Sequence, residues 1–140
     1  MSNGVLKSRC RLYLITPPKI VLESFKDDLS KACDGGEIAC IQLRLKTASR
    51  DEILRAIDTL APIAQERNIA FILNDNPELA AQTACDGVHV GQRDTSYKQA
   101  REIVGENAVV GITCHNKRYL AIEAAEKGAD YVAFGAFFPT

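Results

Sequence analysis

Polar side chains at the ends of short apolar runs carry most of the chemistry that this sequence offers. The segment 42–46 (QLRLK) places Gln42, Arg44 and, if the extended backbone continues, Lys46 on one face of a strand. An arginine fork and a lysine ammonium suit phosphate oxygens, and a bound anion would offset the cost of burying these charges. The segment predicts an anion site, and the alternative is a set of ordinary exposed basic residues after a strand.

Two carboxylates follow the next two apolar runs along the chain. Asp75 comes after Asn74, directly behind the run 70–73, and Asp94 comes shortly after the run 87–90. Two carboxylates at neighbouring strand ends, together with diphosphate oxygens and water, are a usual way to hold Mg²⁺. Taken alone, Asn74 and Asp75 are better explained as a turn and helix cap, and Asp94 as part of a loop.

A glycine, a hydroxyl, a thiol and an imidazole come close together at the end of the fifth apolar run. Gly111 would allow a ligand to approach the backbone, and Thr113 offers a hydroxyl on the same face. Cys114 and His115 resemble a nucleophile and its base, but adjacent strand residues point to opposite faces, which argues against that pair. His89, inside the fourth run, is better explained as a hydrogen-bonded structural residue than as a ligand.

These residues need elements to position them, and the sequence predicts six strands alternating with five helices. The β-rich runs are 12–15, 38–43, 70–73, 87–90, 109–113 and 131–134, and the helical stretches are 22–33, 49–68, 77–83, 96–104 and 117–127. Strict alternation predicts an α/β fold whose parallel strands are joined by right-handed crossover helices. Two architectures fit: an open doubly wound sheet, or a TIM (β/α)₈ barrel, of which the chain holds about six units. In both, chemistry lies at the carboxyl ends of the strands.

Three local signals concern the ends and continuity of the helices. Ser49, with Glu52 three residues later, forms a capping-box signature at the start of the second helix. Pro62, inside the same helix, predicts a kink or a break. Asn116 is a candidate cap for the last helix.

Composition excludes several classes of protein. The chain has 140 residues, 46% of them hydrophobic, and its 17 basic and 18 acidic residues leave a net charge of −1, which favours neither nucleic acid nor an anionic membrane as a partner. No run reaches the roughly 18 apolar residues of a membrane span. The segment 1–11 lacks the apolar core of a signal peptide, so we expect a cytoplasmic protein. The five cysteines include no C-x-x-C pair, so we expect reduced thiols rather than disulfides or a zinc site.

The motifs in this order resemble the thiamine phosphate synthase family, also called thiamine phosphate pyrophosphorylase. The matching segments are 12–17 (LYLITP), 42–46 (QLRLK), 74–75 (ND), 86–94 (DGVHVGQRD), 111–115 (GITCH) and 129–140. The resemblance implies a TIM barrel, with residues 1–140 forming a single domain equal to the N-terminal three-quarters of it. Thr113 stands where the family usually has serine, Leu45 where it often has an acidic residue, and Ala136 where proline is common.

The resemblance implies a Mg²⁺-dependent transferase with small-molecule substrates. Such an enzyme joins hydroxymethylpyrimidine diphosphate to thiazole phosphate by a dissociative substitution, giving thiamine phosphate and diphosphate. Carried over by motif, the substrate-binding residues are Gln42, Arg44, Lys46, Asn74, Thr113 and Thr140, and the metal ligands are Asp75 and Asp94. Thr140 would help to hold the thiazole phosphate.

The family pattern continues beyond the position of Thr140 with a lysine that contacts the diphosphate and with two more βα units. We therefore expect a C-terminally truncated chain with little or no synthase activity, and we assign no catalytic residue. One alternative is a thiazole tautomerase with His115 as acid or base, although the tautomerases lack the two aspartate motifs. Another is a non-catalytic part-barrel that forms a homo-oligomer through the open edges of its first and last strands.

Overall fold

The computed structural model describes residues 9–139, and in it six strands alternate with five helices. The strands are β1 (Leu12–Ile15), β2 (Ile38–Leu43), β3 (Ala70–Asn74), β4 (Gly87–Val90), β5 (Val109–Thr113) and β6 (Tyr131–Ala133). The helices are α1 (Leu22–Asp34), α2 (Arg50–Gln65), α3 (Pro77–Ala81), α4 (Tyr97–Val104) and α5 (Arg118–Lys127). Every predicted element is therefore present in the predicted order, with differences of a few residues at the ends.

All neighbouring strands pair in parallel, and their order in the sheet is their order in the chain, β1 to β6. A doubly wound sheet needs a point at which the strand order reverses, and no such point occurs among the described strands. Of the two architectures that the sequence left open, the doubly wound sheet is therefore wrong. The sheet is a six-stranded parallel half-barrel, and the carboxyl ends of all six strands lie at the same edge.

The main core lies between the outer face of the sheet and the helices. In β2, Ile41 and Leu43 are fully buried against this layer, and α2 contributes Leu60 and Ala64. Burying a large aliphatic side chain contributes about 1.5–3 kcal/mol, so each of these buried residues helps to hold the strands in place. The five cysteines are all free, as predicted, and Cys114 is fully buried.

The helix signals gave mixed outcomes. Ser49 and Glu52 form the predicted capping box, with both reciprocal hydrogen bonds present. The predicted break at Pro62 is wrong: α2 continues to Gln65, because this proline lies in the last turn of a helix whose neighbouring side chains are buried in the core. Asn116 does not cap α5, which begins after Lys117 without a side-chain cap bond.

The amino ends of the strands are tied together by carboxylates. Asp86 accepts a hydrogen bond of 2.7 Å from the backbone N–H of Phe71, and Asp130 accepts one of 2.8 Å from that of Val110. Arg101 of α4 reaches the same Asp130 carboxylate at 2.7 Å. This edge of the sheet is thus held by polar contacts within the fold, which leaves the opposite edge for a ligand. In residues 9–139, no helix is long and apolar enough to cross a membrane.

Candidate active site

A cleft of about 990 Å³ opens at the carboxyl ends of the strands, on the inner side of the half-barrel. It is lined by seven of the residues that the sequence singled out, namely Gln42, Arg44, Lys46, Asn74, Asp75, Asp94 and Thr113. The eighth, Thr140, lies outside the described residues. One cleft thus brings together residues at or just after the carboxyl ends of four different strands, which is the arrangement expected of parallel α/β enzymes.

The two cations of this cleft follow β2. The strand ends at Leu43, so the condition under which Lys46 would share a strand face with Gln42 and Arg44 is not met. The segment after the strand is pinned to the end of β1 instead: Thr16 donates its N–H to the Gln42 carbonyl, and the Arg44 N–H donates to the Thr16 hydroxyl, both at 3.0 Å. Arg44 is half-buried and Lys46 exposed. The ion pairs found among residues 9–139 include neither cation, so both are available for an anion.

Asp75 is held by its backbone at the end of β3. Its φ of 64° lies in the left-handed region, and its N–H donates to the His89 carbonyl at 2.8 Å. The prediction that Asn74 and Asp75, taken alone, are a helix cap is wrong, because the next residue, Asn76, accepts from the Leu79 N–H and caps α3. The side chains of Asn74 and Asp75 are left facing the cleft.

Asp94 is positioned by a glycine. Its Oδ2 accepts a hydrogen bond of 2.9 Å from the Gly91 N–H. A Cβ built on Gly91 would lie 2.7 Å from that same oxygen, closer than real Cβ atoms approach. Only glycine therefore leaves room for the carboxylate in this position.

The carboxylate of Asp94 acts electrostatically on that of Asp75. Burial, and next the neighbouring carboxylate of Asp94, raise the pKa of Asp75, and Arg44 opposes the rise. Residues 9–139 contain no group of three or more histidine, cysteine, aspartate or glutamate side chains placed to hold a metal ion by themselves. Two carboxylates in a cleft that also holds free cations suit Mg²⁺, which commonly binds through one or two carboxylates, substrate phosphates and water.

A hydrogen-bonded chain of side chains, which the sequence did not reveal as a unit, crosses the floor of the cleft. The Gln42 Nε2 donates to the Tyr13 hydroxyl at 3.0 Å, and this hydroxyl lies 2.5 Å from that of Tyr131. The Tyr131 hydroxyl lies 2.8 Å from His89 Nδ1, and His89 Nε2 lies 2.7 Å from the Thr113 hydroxyl. We refer to these five residues as the floor chain. His89 is thus hydrogen-bonded through both ring nitrogens, as expected.

The floor chain is electrically neutral near pH 7. Burial raises the pKa of Tyr13 to about 12, and burial, helped by the nearby Arg44, lowers the pKa of His89 to about 4. The sequence could have shown that Tyr13 and Tyr131 lie on the inner faces of β1 and β6. It could not have shown that these two strands face each other, so it did not predict the contact between the two hydroxyl groups.

Two expectations about β5 meet different outcomes. Gly111 does not admit a ligand: a Cβ built on it would overlap the ring of Tyr131, so the glycine makes room for that side chain. Cys114 and His115 form no pair, as predicted, but the reason differs: β5 ends at Thr113, so strand alternation does not apply to these two residues. Cys114 is fully buried, whereas His115 is exposed and has a φ of 50°.

With this geometry in hand, comparison with known proteins decides the family. The family model described as thiamine monophosphate synthase matches residues 12–140. The chain belongs to the thiamine monophosphate synthase family.

Individual members of the family are also similar to this chain in sequence and in structure. A thiamine-phosphate synthase from Rhodospirillum centenum is 60% identical over 131 residues, which cover 94% of this chain and 63% of that protein. One from Erythrobacter litoralis is 45% identical, covering 91% of this chain and 61% of that protein. The solved structure of a thiamine phosphate pyrophosphorylase from Pyrococcus furiosus superposes with a TM-score of 0.80 at 32% identity, over 93% of this chain and 62% of that one. The chain thus spans about three-fifths of the length of these relatives.

Proposed function

We propose that this chain supplies the pyrimidine diphosphate and Mg²⁺ part of a thiamine phosphate synthase active site. The observation that carries the proposal is the convergence of two cations, Arg44 and Lys46, with two carboxylates, Asp75 and Asp94, in one cleft at the carboxyl ends of the strands. Neither cation forms an ion pair within residues 9–139. Membership of the family supports the same assignment. We further propose that residues 1–140 are a single domain, the N-terminal three-quarters of a TIM barrel.

The proposed reaction joins hydroxymethylpyrimidine diphosphate and thiazole phosphate. The bond between the pyrimidine methylene carbon and the diphosphate oxygen breaks first, and the thiazole nitrogen then forms a bond to that carbon. The products are thiamine phosphate and free diphosphate. The proposed substrate contacts are Gln42, Arg44, Lys46, Asn74 and Thr113 in the cleft, and Thr140 for the thiazole phosphate.

The chain's own residues would stabilise the leaving diphosphate. Negative charge grows on its oxygens as the bond breaks, and Arg44 and Lys46 offer it a planar fork and a point charge that form no ion pair in the described part of the chain. The backbone of Arg44 is held by the bond from its N–H to the Thr16 hydroxyl, which fixes the point from which the side chain enters the cleft. Asp75 and Asp94 would hold the metal ion. When bound, Mg²⁺ would neutralise part of the diphosphate charge.

Binding of the pyrimidine diphosphate tests this assignment. We expect Arg44→Met to weaken the binding of hydroxymethylpyrimidine diphosphate, measured by calorimetry in the presence of Mg²⁺, by about tenfold or more, because it removes a charge-assisted pair. Arg50→Met is the matched control, since Arg50 is exposed at the start of α2 and bonds to Gln82. Equal affinity of the two variants would contradict the proposed anion site.

The other expectations from the sequence stay predictions. The tautomerase alternative is not favoured, because the named relatives are synthases and the exposed His115 is not among the residues lining the cleft. A cytoplasmic location and small-molecule substrates without nucleic acid or membrane partners fit the family. Self-association through the edges of β1 and β6 is a proposal that rests on exposed apolar side chains there, such as Leu12 and Phe134.

A further inference from the structure

The floor chain links strands that are far apart in the sheet. Its members come from β2, β1, β6, β4 and β5 in that order, and each contact is 2.5–3.0 Å long. All five residues line the cleft. The chain begins and ends on proposed substrate contacts, Gln42 and Thr113, while its three middle residues have no role in the proposed reaction.

The direction of the hydrogen bonds can be followed from Gln42. An amide NH₂ only donates, so the Tyr13 oxygen accepts from Gln42. The Tyr13 hydrogen then has the Tyr131 oxygen as its acceptor, and the Tyr131 hydrogen has His89 Nδ1. In a neutral imidazole whose Nδ1 accepts, the proton sits on Nε2, which donates to Thr113.

The opposite direction is less favourable. If His89 Nδ1 donated to Tyr131 and Tyr131 to Tyr13, both hydrogen bonds of the Tyr13 hydroxyl within residues 9–139 would be accepted ones, and its own hydrogen would have no acceptor there. A buried donor without a good partner is costly.

We propose that His89 and Tyr131 are positioning residues that hold Thr113 as a hydrogen-bond donor toward the substrate. Since Thr113 accepts from His89, its own hydrogen points to the cleft and fits an acceptor atom of the ligand, such as a phosphate oxygen or an unprotonated ring nitrogen. Without the floor chain, the Thr113 hydroxyl would donate its hydrogen to the imidazole. It could then only accept hydrogen bonds from the ligand. The inference rests on the proposed function, because that function makes Thr113 a substrate contact.

The proton position on His89 is directly measurable in the 140-residue chain labelled with ¹⁵N. Near pH 7 we expect His89 Nε2 to resonate as a protonated nitrogen and Nδ1 as an unprotonated one. In Tyr131→Phe the Nδ1 donor is lost, so we expect the proton to distribute over both nitrogens. Tyr13→Phe keeps the Tyr131 hydroxyl and should leave the His89 signals in the Nε2–H pattern. Tyr119→Phe, at an exposed position on α5, is the control and should change nothing.

The second readout is affinity for hydroxymethylpyrimidine diphosphate. Tyr131→Phe should weaken it about threefold to tenfold, the loss expected when one neutral hydrogen bond is no longer oriented, whereas Tyr119→Phe should not. A wild-type His89 protonated on Nδ1 would overturn the proposal, as would a Tyr131→Phe variant with unchanged His89 signals and affinity. If the His89 pattern is as expected but wild-type protein does not bind the pyrimidine diphosphate, the proposed function fails while the direction of the floor chain stands.

Discussion

The hydroxyl groups of Tyr13 and Tyr131 meet at 2.5 Å although 118 positions separate them in the chain. Their rings pack at a centroid distance of 5.4 Å, so the first and the last described strands face each other across the interior of the half-barrel. The contact needs Gly111, because any side chain at that position would occupy the space of the Tyr131 ring. Gly111, on β5 beside the last strand, therefore decides how the floor of the cleft is built.

Replacing that glycine should destabilise the fold. We expect Gly111→Ala to lower the free energy of unfolding by about 1–3 kcal/mol, because the new methyl group overpacks the interior and displaces Tyr131. Urea unfolding followed by circular dichroism measures the change. Gly36→Ala is the control, since a Cβ there has its nearest neighbour at an ordinary 3.9 Å. Similar losses in both variants would show that the Tyr131 contact is not the cause.

The carboxylates should be required for metal-assisted binding. We expect Asp75→Asn and Asp94→Asn each to remove most of the Mg²⁺ dependence of hydroxymethylpyrimidine diphosphate binding, because an amide lacks the negative charge that a hard cation prefers. Calorimetric titrations with Mg²⁺ and with a chelator give the comparison. Asp58→Asn, at an exposed position of α2, should behave as the wild type. Binding that responds to Mg²⁺ equally in all four proteins would rule out the proposed metal ligands.

The sequence predicted the elements well because each carries a local signal. Apolar runs and the Ser49 capping box depend on residues close in the chain. The convergence of Arg44, Asp75 and Asp94 could also be predicted, since parallel strands must end at one edge. The floor chain could not, because the Tyr13–Tyr131 contact depends on how strongly the sheet curls. The prediction that Gly111 lets a ligand approach the backbone was wrong for the same reason. The curl of the sheet places the Tyr131 ring of another strand in that space.

Acid should destabilise the protein through His89. Its pKa in the folded chain is about 4, below the ordinary value of 6.5, so between these values the unfolded state binds a proton that the folded state excludes. Stability is therefore lost as the pH falls from about 6.5 to about 4. We expect the free energy of unfolding to drop by about 2 kcal/mol between pH 7 and pH 5.

Histidine variants separate this effect from other titrations. His89→Gln should be less stable at pH 7 but should lose most of the pH dependence in this window. His115→Gln replaces the other histidine of the chain, which is exposed, and should keep the wild-type pH dependence. If the free energy of unfolding changed with pH in the same way in both variants, the assignment to His89 would be contradicted.

Arg101 should stabilise the edge of the sheet opposite the cleft. Its guanidinium contacts the Asp130 carboxylate at 2.7 Å, the Tyr97 hydroxyl at 3.0 Å and two backbone carbonyls, and its side chain is only 11% exposed. Arg101→Met should cost about 1–3 kcal/mol in urea unfolding, because the partner groups lose charge-assisted hydrogen bonds. Arg55→Met, at an exposed position of α2, is the control and should cost less than about 0.5 kcal/mol.

The edges of β1 and β6 should govern self-association. Among residues 9–139 neither strand has a second neighbour, and Leu12 on β1 is 58% exposed. Unpaired strand edges with apolar side chains favour pairing between chains, and a lysine at such an edge opposes it. Light scattering after size exclusion should therefore show a mass that rises with concentration for the 140-residue chain and a smaller rise for Leu12→Lys. Val21→Lys, exposed at the start of α1, should match the wild type, and a monomer at all concentrations would contradict the proposed pairing.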